Sequence, residues 1–363
     1  HREIVIVHDQ ASANMPELPK GSSNVRVIAQ RGTARPGRMI NAGMTAARGH
    51  VRVLLKPSCV PVGPNWLEQM IAPFEDAEVG VAVSSCYAPS RGENNLSGCL
   101  MEAVVPVPRC AEGSPSGPAD AVSHMADAYR AEMLADIGYF EDESLRSPGE
   151  AVDVTLRVED AGYAIVYAEG ASVEHYPDED ERNLASALRK AMDYGYSDAV
   201  LEARYGMRWL NSGIFAAALL SLLLLPLAAF SLKAATVLSL GILVWGFFLG
   251  IQIPPIKWEL PIAALNFFVW AAVIWFIRDD WWPSMFGREV HPSIVRQWCW
   301  FGAVTASYLL LLGKAALGSS VRTCRRRGCL RYALPVLAVS ALWWLAAGVG
   351  YAHGRLAAPG SAD

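Results

Sequence analysis

Short apolar runs alternate with helix-like stretches through the first half of the chain. Residues 3–8, 25–29, 51–55, 79–85 and 163–167 are runs of strand length rich in Val, Ile and Leu. Between them, residues 38–48, 64–74, 124–137 and 150–161 carry apolar positions at helical spacing, and glycines at 138 and 162 close the last two. This β-then-α rhythm predicts an α/β fold, a mostly parallel sheet with helices on both faces. Residues 87–123 are rich in Pro, Gly, Ser and Asn and predict irregular structure, with one strand near 101–106.

The pattern then changes. Leu184, Leu188, Met192, Tyr196 and Val200 recur about every four residues among Arg182, Arg189, Lys190, Arg204 and Arg208. That spacing predicts an amphipathic helix or helix pair over 181–212, either lying on an anionic membrane surface or packed on the preceding domain. Beyond it come nearly uncharged stretches at 213–231, 234–252, 260–278, 297–316 and 332–351. Each is long enough to cross about 30 Å of hydrocarbon as a helix. The sequence therefore predicts an α/β domain over 1–180, interfacial helices over 181–212, and an all-α transmembrane region over 213–363.

Charge separates the same two halves. Residues 1–212 hold 30 acidic against 19 basic side chains, a balance of −11, and residues 213–363 hold 5 against 12, a balance of +7. No nucleic-acid partner is expected of the acidic half; the bilayer is the partner expected of the other. The segment 314–331, with Lys314, Arg322, Arg325, Arg326, Arg327 and Arg331, is the most basic loop and is expected to face the cytoplasm. Counting spans from it puts the α/β domain in the cytoplasm and Asp363 outside, in a multi-pass protein of the plasma (inner) membrane. The seven cysteines form no CxxC pair, and no histidine stands at zinc-ligand spacing, so neither a disulfide framework nor a zinc site is expected.

Candidate chemistry gathers at predicted strand ends and helix starts. Asp9 ends the first strand in Val7-His8-Asp9-Gln10-Ala11-Ser12, where open α/β sheets bind ligands. Asn41 lies in Arg35-Pro-Gly-Arg38-Met-Ile-Asn41-Ala-Gly43, and Lys56-Pro57-Ser58 follows the strand 51–55 directly, ahead of Pro64-Asn-Trp66-Leu67. Further on stand Asp136-Ile-Gly138-Tyr-Phe140-Glu141-Asp142, Gly149-Glu150-Ala151-Val-Asp153-Val-Thr-Leu-Arg157, Gly162-Tyr163 and Val173-Glu-His175. In this order and spacing, residues 3–176 resemble the membrane-bound family 2 glycosyltransferases of the GT-A fold, here without the family's first strand. The resemblance implies a GT-A-like nucleotide-diphospho-sugar transferase fold, with a further strand expected upstream of residue 3. It also implies a nucleotide-sugar donor, a lipid-linked or glycan acceptor, and contacts to the donor from Asp9, Asn41, Lys56, Ser58 and His175. Glu150 and Asp153 are the implied candidates for the base that takes the acceptor proton.

Two departures from the family pattern fall on its chemistry. Lys56-Pro57-Ser58 stands where the family carries Asp-x-Asp for a divalent Mn or Mg ion, and Glu150-Ala151 stands where it carries Glu-Asp. Two readings follow. In one, Lys56 replaces the metal as a fixed cation facing the diphosphate, with Glu150 or Asp153 as base and no metal site. In the other, the chain is an inactive homologue that serves as a binding or assembly subunit beside a membrane-protein partner. His175 likewise reads either as a group near the diphosphate or as a histidine that merely ends a strand.

Overall fold

A computed structural model describes residues 2–9, 24–30, 36–87, 100, 117–119, 121–140, 144–146, 149–176, 183–205, 216, 219–220, 223–235, 237–238, 295, 297–306, 316–317, 320–321, 323–324 and 330–357. The chain divides into two compact units, residues 1–93 with 105–183, and residues 94–104 with 184–363.

The first unit opens on two parallel strands, β1 (Ile4–Asp9) and β2 (Val25–Gln30), in register from Ile4 opposite Val25 to Asp9 opposite Gln30. Helix α1 (Pro36–Ala46) follows β2 and runs back along the pair, because its last carbonyl, on Ala46, accepts from the Arg26 guanidinium near the start of β2. The first turn of α1 therefore stands at the end of the pair where Asp9 and Gln30 lie. Gly43 lets the helix sit close: a methyl there would come 3.0 Å from Val7 Cγ2.

A six-stranded sheet holds β3 (Val51–Leu55), β4 (Cys59–Pro61), β5 (Val79–Tyr87), β6 (Gly117–Pro118), β7 (Ala126–Arg130) and β8 (Ala164–His175). Its order is β3-β7-β5-β8-β4, with β6 also on β8. Only β5 and β8 pair in parallel within it; β3 with β7, β5 with β7, β4 with β8 and β6 with β8 are antiparallel. The expectation of a mostly parallel sheet is thus corrected to a mixed one. The cause is β7, which was read from sequence as the start of a helix over 124–137. Ala126, Ala128 and Tyr129 are wholly buried between two neighbouring strands, and that burial overrides the helical preference of the alanines. The helix begins only at α3 (Ala131–Ile137) and ends, as predicted, at Gly138, whose φ is 86°.

Strand alternation sorts the core into two layers. Val81, Val83 and Tyr129 face Met44 of α1, Met133 and Leu134 of α3, and Val154 and Val158 of α4 (Gly149–Asp160). Ala82, Ala126 and Ala128 face the other way, toward Trp66 and Met70 of α2 (Trp66–Ile71). Helices do cover both faces of this sheet. The strand expected near 101–106 lies outside the described residues, and β8 runs to His175, well past the predicted 163–167.

In the second unit, residues 184–205 form one helix, α5 (Leu184–Tyr205). The fully buried stripe lies beside the apolar one seen in the sequence, of which Leu188, Tyr196 and Val200 are half-buried. Leu184 and Met192 are exposed, whereas Ala187, Ala191, Gly195, Asp198, Ala199 and Glu202 are buried. Of the remaining elements, α6 (Leu225–Phe230) is short, and α7 (Ala333–Ala357) has 25 residues. The buried stripe of α5 packs on α7, with Ala187 and Ala191 against Trp343 and Ala347. Tyr351 donates its hydroxyl hydrogen to buried Glu202, and Arg355 stands 4.0 Å from the same carboxylate. Among the described residues, α7 is the one helix long and apolar enough to cross a membrane. The predicted span 260–278 lies outside the described residues, and 213–231, 234–252 and 297–316 lie partly outside them.

Candidate functional site

Lys56 follows the last residue of β3, and its N–H donates to the Met125 carbonyl at 2.9 Å. The turn after it is closed by the Cys59 N–H on the Lys56 carbonyl, also 2.9 Å. Proline at 57 suits that turn, since its ring fixes φ and no donor is needed there. Ser58 carries the next link: its carbonyl accepts from the Tyr176 N–H at 2.8 Å, and Cys59 lies opposite His175 in the β4–β8 ladder. Lys56, Ser58 and buried His175 thus share one end of the sheet, held there by backbone bonds.

Glu150 approaches the same place from α4. It is 1% exposed, and its carboxylate accepts the Gly37 N–H from the first turn of α1. Burial raises its pKa above the ordinary carboxylate range; the nearby Lys56 charge and the N–H donors oppose that rise, and Asp153 adds to it. Oε2 of Glu150 has no hydrogen-bond partner among the described residues. Gly37 opens α1 at the end where β1 stops, so Asp9 belongs to that end as well.

Two predicted residues have other occupations. Asp153 is buried, and its carboxylate is gripped by Arg157 at 2.7 Å and 2.9 Å, one helical turn on. Arg157 in turn donates to the Ile137 carbonyl. Asp153 is thus taken up by this pair, while Arg157 ties α4 to the end of α3, and of the two candidate bases Glu150 has the open atom. Asn41 is also engaged: Nδ2 donates to the Phe140 carbonyl at 2.8 Å and Oδ1 accepts the Phe140 N–H at 3.0 Å. That reciprocal pair clamps α1 to residue 140. Asn41→Ala is expected to lower stability by about 1–3 kcal/mol by stripping both partners from the Phe140 backbone, read as an earlier denaturant midpoint at unchanged slope.

The turn Ser123-His124-Met125 straddles the predicted irregular segment 87–123 and the predicted helix 124–137, so it was missed. It enters β7 on a clamp made by Asp127, whose carboxylate accepts the Ser123 N–H at 3.0 Å and the His124 N–H at 2.6 Å. The Ser123 hydroxyl donates to Oδ1 at 2.5 Å, and the Tyr129 hydroxyl adds a fourth contact at 3.3 Å. Burial pushes Asp127 up to about 6, against the pull of these donors. His124 is 4% exposed with φ 55°, its ring lies 5.0 Å from that of Phe140, and Nε2 has no partner among the described residues. Burial, reinforced by the Lys56 charge, pushes His124 down to about 3, so the imidazole is neutral. The sequence signal that could have exposed this turn is Ser123-x3-Asp127, a polar pair able to cap a bend rather than continue a helix.

These residues do not fit a divalent metal. A cation stands at the strand end, Asp153 is neutralised by Arg157, and among the described residues no three His, Cys, Asp or Glu side chains gather at one point.

No family model matches the chain, and no curated protein matches it. A solved crystal structure of GalNAc-T7 with UDP, GalNAc and Mn2+ is similar over 54% of this chain, with 16% identical residues and a TM-score of 0.38. The similarity covers 44% of that chain, so the present one spans less than half its length.

Proposed function

We propose that the first unit is a glycosyltransferase-like domain that binds a nucleotide sugar and passes the sugar to a lipid-linked or cell-surface acceptor, on a multi-pass membrane anchor with the domain on the cytoplasmic side. One observation carries the reading: buried Glu150, with Oε2 unpartnered among the described residues, sits within the field of Lys56 at the sheet end shared with Ser58 and His175. Departure of a nucleoside diphosphate needs its growing charge met by a fixed cation, and attack by a hydroxyl needs a placed proton acceptor. Lys56 supplies the first and Glu150 the second. The Gly37 N–H, in the first turn of α1, holds the Glu150 carboxylate there. Membrane anchoring is supported by α7, whose Leu334, Leu342 and Leu356 are exposed apolar side chains on a helix of spanning length.

A second reading, an inactive binding or assembly subunit, is favoured by the Asp153–Arg157 pair, which removes one of the two candidate bases. Titration of the purified full chain with UDP- and GDP-sugars, with and without manganese, separates the two. The proposal expects binding that does not depend on manganese and that Lys56→Ala weakens roughly 10- to 100-fold, the loss of a charge-assisted contact. No binding of any nucleotide would support the second reading.

A further inference from the structure

His124 adopts a left-handed backbone conformation uncommon for non-glycine residues, although histidine, like Asn and Asp, takes it more often than most. Among the described residues just two non-glycine positions have positive φ, His124 at 55° and Tyr139 at 63°. The sequence at 124 could have relieved the strain with glycine; it carries a histidine instead. Asp127 enforces the geometry through the N–H groups of Ser123 and His124. The ring is then fixed against Phe140, which Asn41 holds by both backbone atoms. Strain maintained by this many contacts is characteristic of positions where a side chain must point at a ligand.

The atom so aimed, Nε2, is buried and without a hydrogen-bond partner among the described residues, as is Oε2 of Glu150. Nine buried side-chain polar atoms lack a partner among the described residues, and two of them gather near Lys56, where an occupant with polar groups of its own would satisfy both. The turn that carries His124 is bonded to that lysine's backbone through Met125, which places the imidazole beside the Lys56 position. A neutral imidazole adds no charge for a phosphate, and Lys56 is there to meet one. It suits a hydroxyl, which can donate to or accept from Nε2 according to tautomer.

Building on the nucleotide-sugar reading, we propose that His124 is a donor-specificity residue whose Nε2 hydrogen-bonds a hydroxyl of the sugar, next to the diphosphate position at Lys56. Affinity for the whole nucleotide sugar then depends on His124, and affinity for the bare nucleoside diphosphate does not.

The test uses the detergent-solubilised full chain and isothermal titration with UDP-glucose, UDP-galactose, GDP-mannose, UDP and GDP. His124→Gly is suitable because glycine takes φ 55° without strain; a melting curve on the same sample checks that it folds. The expected result is a loss of about three- to tenfold for the bound nucleotide sugar, with UDP or GDP affinity unchanged. His124→Asn, which tolerates positive φ and keeps a polar side chain, is expected to fall between the two. Lys56→Ala is expected to weaken both ligand types. Nucleotide-sugar affinity unchanged in His124→Gly, or an equal loss for sugar-bearing and bare diphosphates, would overturn the assignment and leave the glycosyltransferase reading standing. A wild-type chain that binds none of the five overturns that reading, and this inference with it.

Discussion

Glu150→Gln is expected to cut sugar transfer by roughly 100- to 10,000-fold, the usual range for a lost general base, while donor affinity stays close to wild type. Glutamine keeps the size and one oxygen of the side chain, so the Gly37 N–H still finds an acceptor. What it cannot do is take a proton. The pH dependence gives a sharper check. Burial raises the Glu150 pKa, so the wild-type rate should climb with pH through a midpoint above the ordinary glutamate range, and the residual rate of Glu150→Gln should lack that limb. Lys56 opposes the rise, so Lys56→Ala should move the limb to higher pH. Stability follows the same sign. A carboxyl whose folded pKa is raised favours the fold at low pH, and that contribution is lost as pH increases through the folded value. Glu150→Gln should therefore melt above wild type at pH 8, with the difference shrinking toward pH 4. Full transfer activity in Glu150→Gln would place the base elsewhere; a melting difference independent of pH would show that the Glu150 pKa is the same folded and unfolded, against the rise that burial imposes.

How much of this could be read from residues alone depends on which force decides each element. Strands β1, β2, β3 and β5 are short runs of Val, Ile and Leu, and the predicted positions lie within a residue or two of the observed ones. Residues 126–130 are Ala-Asp-Ala-Tyr-Arg, with alanines that favour helix and an aspartate that strands avoid. Only the slot between β3 and β5 makes them a strand, and no local pattern reports a slot. Sheet direction was misread for the same reason. A β-then-α rhythm implies parallel neighbours, yet β7 and the return of β8 to β4 are antiparallel partners brought together from far along the chain.

The site was legible where order along the chain carried it. Lys56 and Glu150 come from separate motifs, and the fold brings their charges within mutual reach. Asp153 could have been assigned from spacing, since Asp153 and Arg157 lie four apart on one helix face and make a helix-stabilising pair. His124 could not, because its role rests on a left-handed backbone angle imposed by a carboxylate three residues on. On α5 the large side chains Leu184 and Met192 drew the apolar stripe, but a helix that must approach another backbone buries its smallest residues instead.

That close approach makes Gly195→Leu the most damaging substitution expected in the second unit. A Cβ at Gly195 would overlap the Ala347 carbonyl oxygen, one at Gly350 would overlap the Met192 carbonyl oxygen, and one at Gly354 would come 2.7 Å from the Tyr196 carbonyl oxygen. Each helix thus rests a glycine on the backbone of the other, and helical carbonyls cannot turn aside as a side-chain tip can. Only separation of α5 from α7 makes room. Separation opens voids at Ala187, Ala191, Trp343 and Ala347, and it takes the Tyr351 hydroxyl away from buried Glu202. Cavities together with a buried carboxylate stripped of its donor belong to the few mechanisms that cost more than about 4 kcal/mol. Gly195→Leu is expected to yield little folded protein, and Gly195→Ala to melt well below wild type in detergent. Gly302→Ala is the control: nothing lies within 4 Å of a Cβ there, and alanine favours a helix over glycine by roughly 0.5–1 kcal/mol. Once the helices have parted, a second methyl adds little, so Gly195→Ala with Gly350→Ala should cost less than the two single losses combined. If Gly195→Ala melts like wild type while the Gly302 control behaves as expected, the backbones of α5 and α7 do not touch.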